Sequence, residues 1–187
     1  IIVNGSYPDF KTGEMKKANI GVQDGKIAYI GAEAPEAKKT IDASGKVVSP
    51  GFIDIHMHEE NFRKEGRKFV IARMMMEMGV TTAVGGNCGV MYQPLSEFKQ
   101  TIEDLGGSPV NYVMLAGYNQ YRTAMGIGRY GHPSQKQMDE LAEIMKRELA
   151  EGAYGISFGI EYDPGITFDE MLNAVRVSDN PHLLVSA

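Results

Sequence analysis

Apolar and polar residues follow two successive patterns along the chain. Up to about residue 49, short alternating runs flank turn dipeptides, as Ile20 and Val22 do before Asp24-Gly25. Asp-Gly favours the positive φ angles of a tight two-residue hairpin. This first pattern predicts a small β domain over residues 1–49.

From residue 50 the chain alternates short apolar runs with longer amphipathic stretches, which are typical of strands and helices respectively. The predicted strands cover residues 52–58, 81–87, 111–117, 155–160 and 183–187. The predicted helices cover residues 61–79, 96–105 and 134–151, and another begins at Thr167. Ser134-x-x-Gln137 fits a capping box at the start of the third of these helices. Strands that alternate with helices of ten or more residues indicate a parallel α/β sheet. Residues 50–187 are therefore expected to form about the first five strands of a (β/α)8 TIM-type barrel, or a doubly wound sheet.

Composition and charge exclude several classes of partner. The chain has 19 basic and 24 acidic residues, a net charge of −5, and no long basic run. Nucleic-acid binding would need clustered Lys and Arg, and a membrane span would need about 20 consecutive apolar residues. A single cysteine forms no internal disulfide, which fits a cytoplasmic location. We expect a small-molecule substrate and neither a nucleic-acid nor a membrane partner, and nothing in the sequence selects an oligomeric state.

His56 and His58 are the first candidates for metal binding. They end the predicted strand 52–58, where residues two apart point to the same face. At the C-terminal end of a barrel strand that face is the active-site mouth, and neutral imidazole is a favoured zinc ligand. Alone, the pattern also fits two histidines on an edge strand.

Cys88 follows the second strand of the predicted barrel, among Gly85, Gly86 and Gly89. Thiolate is a strong zinc ligand, and glycines let the backbone pass close to an ion. A lone cysteine is more often a small buried apolar residue, so composition alone leaves the role of Cys88 open.

Two runs in the first third of the chain resemble the amino-terminal signature of the amidohydrolase superfamily. They are GKIAYIG, which begins at residue 25, and IDASGKVVSPGFIDIHMH, which occupies residues 41–58. The resemblance implies a (β/α)8 barrel with a small β-sandwich-like domain formed partly from the start of the chain. It also implies one or two zinc ions, the more exposed of which His56 and His58 would bind.

Three further motifs are similar to the N-acyl-D-amino-acid deacylase (D-aminoacylase) subgroup of that superfamily. The motifs are GNCG at residues 86–89, AGYNQYR at residues 116–122 and EGAYGISFGIEYDPG at residues 151–165. In the second motif, Tyr118 stands where the subgroup usually has His. The resemblance implies that the Cys88 thiolate is a metal ligand in place of a carboxylated lysine. It further implies that Tyr162 and Glu161 contact the substrate.

Other polar residues near these motifs favour structural roles. Arg122 could hold a substrate carboxylate or fix a loop through carbonyl groups, and the second is favoured. His132 is expected in a solvated loop and His182 at the opposite end of the barrel. Glu59-Glu60 could orient a metal ligand or could simply place charge at a helix start.

The predicted function is metal-dependent hydrolysis of the amide bond of N-acyl-D-amino acids. The resemblance implies two further histidine ligands and a general-base Asp, which we expect beyond residue 187, so this chain alone should be inactive. A cyclic-amide hydrolase such as a dihydroorotase or hydantoinase is an alternative, although no Lys lies in residues 155–161. A non-catalytic barrel that serves as a binding module is another. A nucleotide-binding doubly wound domain is disfavoured, because no G-x-G-x-x-G or P-loop follows a strand.

Overall fold

A computed structural model describes residues 1–187, and the chain divides into two units, Ile1–Pro50 and Gly51–Ala187. No helix in the structure is both long and apolar enough to cross a bilayer.

The first unit consists of short strands in two groups. Its strands are β1 (Ile2–Val3), β2 (Ser6–Asp9), β3 (Glu14–Lys17), β4 (Asn19–Gln23), β5 (Lys26–Gly31) and β6 (Ile41–Asp42). Four of them form a sheet in the order β5-β4-β1-β6, and β2 pairs with β3 as a separate hairpin. The turn between β4 and β5 has φ of 50° at Asp24 and 72° at Gly25, which confirms the predicted tight hairpin.

The second unit contains a five-stranded sheet in which every neighbouring pair is parallel. Its strands are β7 (Phe52–Asp54), β8 (Val80–Gly85), β9 (Asn111–Gly117), β10 (Gly155–Ser157) and β11 (Leu184–Ser186). Each strand pairs with the next one along the chain, in the order β11-β10-β9-β8-β7. A doubly wound sheet reverses its strand order at a switch point, so this topology favours the barrel over the doubly wound alternative.

Six helices connect or follow these strands. They are α1 (Phe62–Glu65), α2 (Ile71–Glu77), α3 (Leu95–Asp104), α4 (Tyr118–Ala124), α5 (Gln135–Ala150) and α6 (Phe168–Val175). The prediction of one continuous helix over residues 61–79 was wrong. The first turn ends at Gly66, whose positive φ of 83° suits glycine and interrupts the helix. Helix α4 was not predicted.

The core of the second unit lies between the strands and the long helices. Phe98 of α3, Met145 of α5 and Ile156 of β10 are fully buried in one cluster. A smaller cluster packs around Met75 of α2 and includes Met57, which lies just after β7. In the methionine-rich stretch from Met74 to Met78, only Met75 is buried in this cluster. The exposed members are Met74, Met76 and Met78.

Helix α5 begins with the predicted capping box. The Ser134 side chain accepts a hydrogen bond from the Gln137 N–H at 3.3 Å, and the Gln137 side chain accepts one from the Ser134 N–H at 3.0 Å. We expect Ser134→Ala to lower the free energy of unfolding by about 1 kcal/mol, because it leaves the Gln137 N–H without its side-chain acceptor. Urea denaturation followed by circular dichroism measures this. Ser134→Asp, which restores an acceptor, should lie close to the wild type, and an equal loss in both variants would contradict the assignment.

Candidate metal centre

The two histidines lie just beyond the end of β7, which is shorter than the predicted strand 52–58. Pairing with β8 ends at Asp54, whose carboxylate accepts a hydrogen bond from the His56 N–H at 3.0 Å. The Met57 N–H then donates to the Val84 carbonyl at 3.1 Å, and its side chain is buried. The imidazole rings of His56 and His58 are 6.2 Å apart between centroids. The histidines therefore come together through a turn anchored on β8 and not through strand alternation.

Cys88 lies in a single helical turn, Asn87–Gly89, that directly follows β8. Its backbone is left-handed, with φ of 56°, and Gly86 and Gly89 on either side also have positive φ. A Cβ at Gly86 would lie 2.0 Å from the Leu115 carbonyl oxygen, and one at Gly89 would lie 1.8 Å from Asn119 Oδ1. Glycine is required at both positions, so this turn holds Cys88 in one fixed place.

The three candidate ligands converge at the C-terminal ends of β7 and β8. Cys88 Sγ lies 3.3 Å from His56 Nε2, and the ligand atoms of His56, His58 and Cys88 all lie within 4.8 Å of one another. Two ligands of a tetrahedral zinc ion are about 3.5 Å apart, given Zn–N and Zn–S bonds of about 2.1 and 2.3 Å. Imidazole nitrogen and cysteine sulfur are also the atoms that zinc prefers. The arrangement thus fits a zinc ion in both distance and chemistry.

The two acidic residues after His58 are both buried and hold different parts of the structure. Glu60 accepts hydrogen bonds from the N–H groups of Val70 and Ala72, at the start of α2. The sequence favoured a helix-start role for this pair of acids, but at a helix predicted to begin at residue 61, and Glu60 instead holds the start of α2 at Ile71. Glu59 accepts instead from the N–H groups of Gly86 and Tyr92, which lie on either side of Cys88.

Ser157 of β10 forms hydrogen bonds at both ends of the turn that carries Cys88 (Asn87–Gly89, the cysteine turn). Its fully buried hydroxyl donates to the Gly86 carbonyl and accepts from the Gly89 N–H, the latter at 3.0 Å. Asn119, at the start of α4, pairs with both backbone groups of Gly159 at 2.8 and 2.9 Å. Sequence reasoning did not single out Ser157 or Asn119, because their partners are distant along the chain.

A buried polar network joins Arg122 and Glu170 to Tyr118, which occupies the position where the subgroup usually has histidine. Arg122 is fully buried, pairs with Glu170 at 2.9 Å and donates to the carbonyl groups of Gly128 and Gly131. The Tyr118 hydroxyl donates to the same Glu170 carboxylate at 3.1 Å. Burial, and next the negative charge of Glu170, raises the pKa of Tyr118. Arg122 therefore fixes the loop after α4, as the sequence favoured.

The predicted substrate residues Tyr162 and Glu161 lie in the turn after β10. Tyr162 is 57% exposed, and a Cβ on Gly159 would lie 2.2 Å from the Cys88 carbonyl oxygen and 3.0 Å from the Tyr162 ring. Tyr162 and the cysteine turn thus pack against the same glycine. The Glu161 carbonyl accepts from Arg129 at 3.3 Å.

The remaining histidines lie outside the cluster. His132 Nδ1 donates to the Gly165 carbonyl at 3.1 Å, so its ring holds two loops together. His182 is exposed and precedes β11, at the opposite end of the strand from the metal ligands.

Comparison with known proteins finds similarity to D-aminoacylases and N-acyl-D-glutamate deacylases. The chain is similar to D-aminoacylase from Alcaligenes xylosoxydans xylosoxydans, with 28% identity over 201 residues that cover 94% of this chain and 41% of the relative. It is similar to the crystal structure of an N-acyl-D-glutamate deacylase from Bordetella bronchiseptica complexed with zinc and a phosphonate inhibitor. That likeness has 28% identity and a TM-score of 0.80, and covers 99% of this chain and 44% of the other. A D-aminoacylase structure that addresses a binuclear metal centre matches with 28% identity and a TM-score of 0.77, over 94% and 42% of the two chains.

These structural relatives are amidohydrolases with a TIM-type barrel, and the five parallel strands of this chain form half of such a barrel. The chain spans about two fifths of the length of the relatives. No family model matches it.

Proposed function

We propose that this chain, a homologue of D-aminoacylase and N-acyl-D-glutamate deacylase in the amidohydrolase superfamily, is part of a zinc-dependent N-acyl-D-amino-acid deacylase. The reaction would be hydrolysis of the amide bond to a carboxylate and a free D-amino acid. The observation that carries the proposal is the convergence of His56, His58 and Cys88 where two neighbouring barrel strands end. The whole protein would be a (β/α)8 barrel with a β-sandwich-like domain that includes residues 1–49.

The residues of this chain would bind the ion and orient the substrate. His56, His58 and Cys88 would hold one or two zinc ions. Bound zinc supplies Lewis acidity towards the amide carbonyl and activates water for hydrolysis. Tyr162 and Glu161 would line the substrate site from the turn after β10, next to the cysteine turn.

Proton transfer would fall to an Asp on a later strand of the complete barrel. A carboxylate there would take the proton from water and deliver it to the leaving amine, as a general base and then a general acid. The described residues would supply binding and orientation, which is why the activity has to be tested on the full-length protein.

We expect the full-length protein to release free amine from N-acetyl-D-amino acids and not from their L enantiomers. Chelation should abolish this activity and added zinc should restore it, because bound zinc would supply the Lewis acidity that the hydrolysis requires. A panel of N-acetylated D and L amino acids, assayed by amine release before and after treatment with 1,10-phenanthroline, measures both effects.

Activity that survives exhaustive chelation would contradict the metal-dependent mechanism. Hydrolysis of hydantoin or dihydroorotate in place of acyclic amides would favour the cyclic-amide alternative. Absence of hydrolysis across the panel, with zinc bound, would favour the non-catalytic barrel.

A further inference from the structure

We propose that Glu59 is a positioning residue that holds the Cys88 sulfur in position relative to His56 and His58. This inference rests on the proposed zinc centre, and it concerns a carboxylate that is outside the ligand set. Glu59 would act through the backbone of the cysteine turn, without touching the ion.

The Glu59 carboxylate spans the segment that carries Cys88. One of its oxygens accepts from the Gly86 N–H at 2.9 Å and the other accepts from the Tyr92 N–H at 3.0 Å. The side chain is completely buried, so water does not replace these two bonds. A single side chain therefore fixes both ends of the segment from residue 86 to residue 92.

The residue that carries this carboxylate is also adjacent to the histidine pair in the sequence. Glu59 follows His58 directly, so the two imidazoles and the acceptor of the cysteine turn belong to one short peptide. A second contact reinforces the link, because Asn87 Nδ2 donates to the Met57 carbonyl at 3.3 Å and to the Val84 carbonyl at 2.7 Å. Displacement of the histidine segment would therefore displace the cysteine turn, and the reverse.

The conformation of Cys88 explains why such a link is needed. A left-handed backbone, with φ of 56°, is one that cysteine adopts only when its surroundings impose it. Zinc requires the sulfur and the imidazole nitrogens within bonding distance of one point. Residues that hold ligands in place typically change metal affinity by about 10- to 100-fold when they are replaced.

Glu60 provides a matched control. It is the neighbouring residue and is equally buried. Its carboxylate also accepts from two backbone N–H groups, both through the same oxygen. Those groups belong to α2 and not to the cysteine turn. Glu60→Gln should therefore reproduce any general loss of stability without moving Cys88.

The test uses the full-length protein loaded with cobalt(II), whose charge-transfer absorption in the near ultraviolet reports a bound thiolate. We expect Glu59→Gln, which places an amide NH2 against a backbone N–H, to weaken cobalt affinity by about 10-fold or more and to reduce this absorption per bound cobalt. Glu60→Gln should keep the wild-type absorption per bound cobalt. Glu59→Asp, one methylene shorter, should show the same loss because it cannot reach both N–H groups, and it replaces Glu59→Gln if that variant does not fold.

The outcomes separate the inference from the function on which it rests. Wild-type absorption per bound cobalt in folded Glu59→Gln or Glu59→Asp would overturn the positioning role while leaving the metal centre intact. An equal loss in Glu60→Gln would also overturn it, since the effect would then be general. A wild-type protein without the thiolate absorption, or one whose absorption persists in Cys88→Ser, would overturn the proposed metal centre itself.

Discussion

Cys88→Ala is expected to remove most of the zinc from the full-length protein while leaving its secondary structure unchanged. The side chain is half-buried, and the glycines on either side of it keep the turn in place, so alanine leaves only a small void. Replacing a residue that orients a metal ligand typically costs about 10- to 100-fold in metal affinity. Loss of a direct ligand should therefore cost at least about 100-fold, and His56→Ala should have a similar effect.

Plasma mass spectrometry on freshly purified protein, together with competition against a chelator of known affinity, measures this loss. His182→Ala is the matched control, because it also removes an imidazole but at an exposed position before β11. Zinc stoichiometry and affinity that stay at the wild-type level in both Cys88→Ala and His56→Ala would contradict the proposed centre.

Arg122→Met is expected to lower the free energy of unfolding by about 3–5 kcal/mol. The substitution leaves Glu170 as a buried carboxylate without its cation, and uncompensated buried charge is costly. The double variant Arg122→Met/Glu170→Leu should lose much less than the sum of the two single variants, because it removes both charges. Part of the loss should persist, since the carbonyl groups of Gly128 and Gly131 also lose their donors.

Urea denaturation of the single and double variants forms a double-mutant cycle that measures the coupling. Lys136→Met serves as the comparison, because its ion pair with Glu140 is exposed and should contribute less than about 1 kcal/mol. A double variant that loses as much as the two singles combined would show that Arg122 and Glu170 act independently.

Local signals in the sequence predicted the elements well where one short segment decides the structure. The Asp24-Gly25 hairpin and the Ser134 cap are each specified by a few neighbouring residues, and the structure confirms both. The alternation of strands and helices after residue 50 likewise predicted the parallel sheet. These features depend on backbone preference and periodicity, which a sequence displays directly.

Boundaries that depend on distant partners were less predictable. Apolar residues continue past Asp54 at Ile55 and Met57, so the pattern indicated a longer strand, but pairing with β8 stops at Asp54. The sequence pattern nevertheless identified His56 and His58 as candidate metal ligands. Their geometry comes from a turn, which hydrophobic periodicity does not describe.

The supports of the candidate centre could not be predicted from local pattern. Glu59 and Glu60 are adjacent acids, which are usually solvent-exposed, and both are buried here. Their partners are backbone N–H groups 10 to 33 residues away along the chain. Every residue except proline has a backbone N–H, so no feature of the sequence marks which of these groups a carboxylate will bind.

The left-handed backbone at Cys88 also limits how this centre can evolve. Apart from glycine, the residues that adopt this conformation most readily are asparagine, aspartate and histidine, whereas β-branched side chains are strongly disfavoured. Aspartate and histidine would present oxygen or nitrogen to the ion in place of sulfur, and harder ligands favour different metals from those that thiolate selects. The geometry of the turn therefore leaves a short evolutionary path from one metal preference to another, through a single residue that the backbone already accommodates.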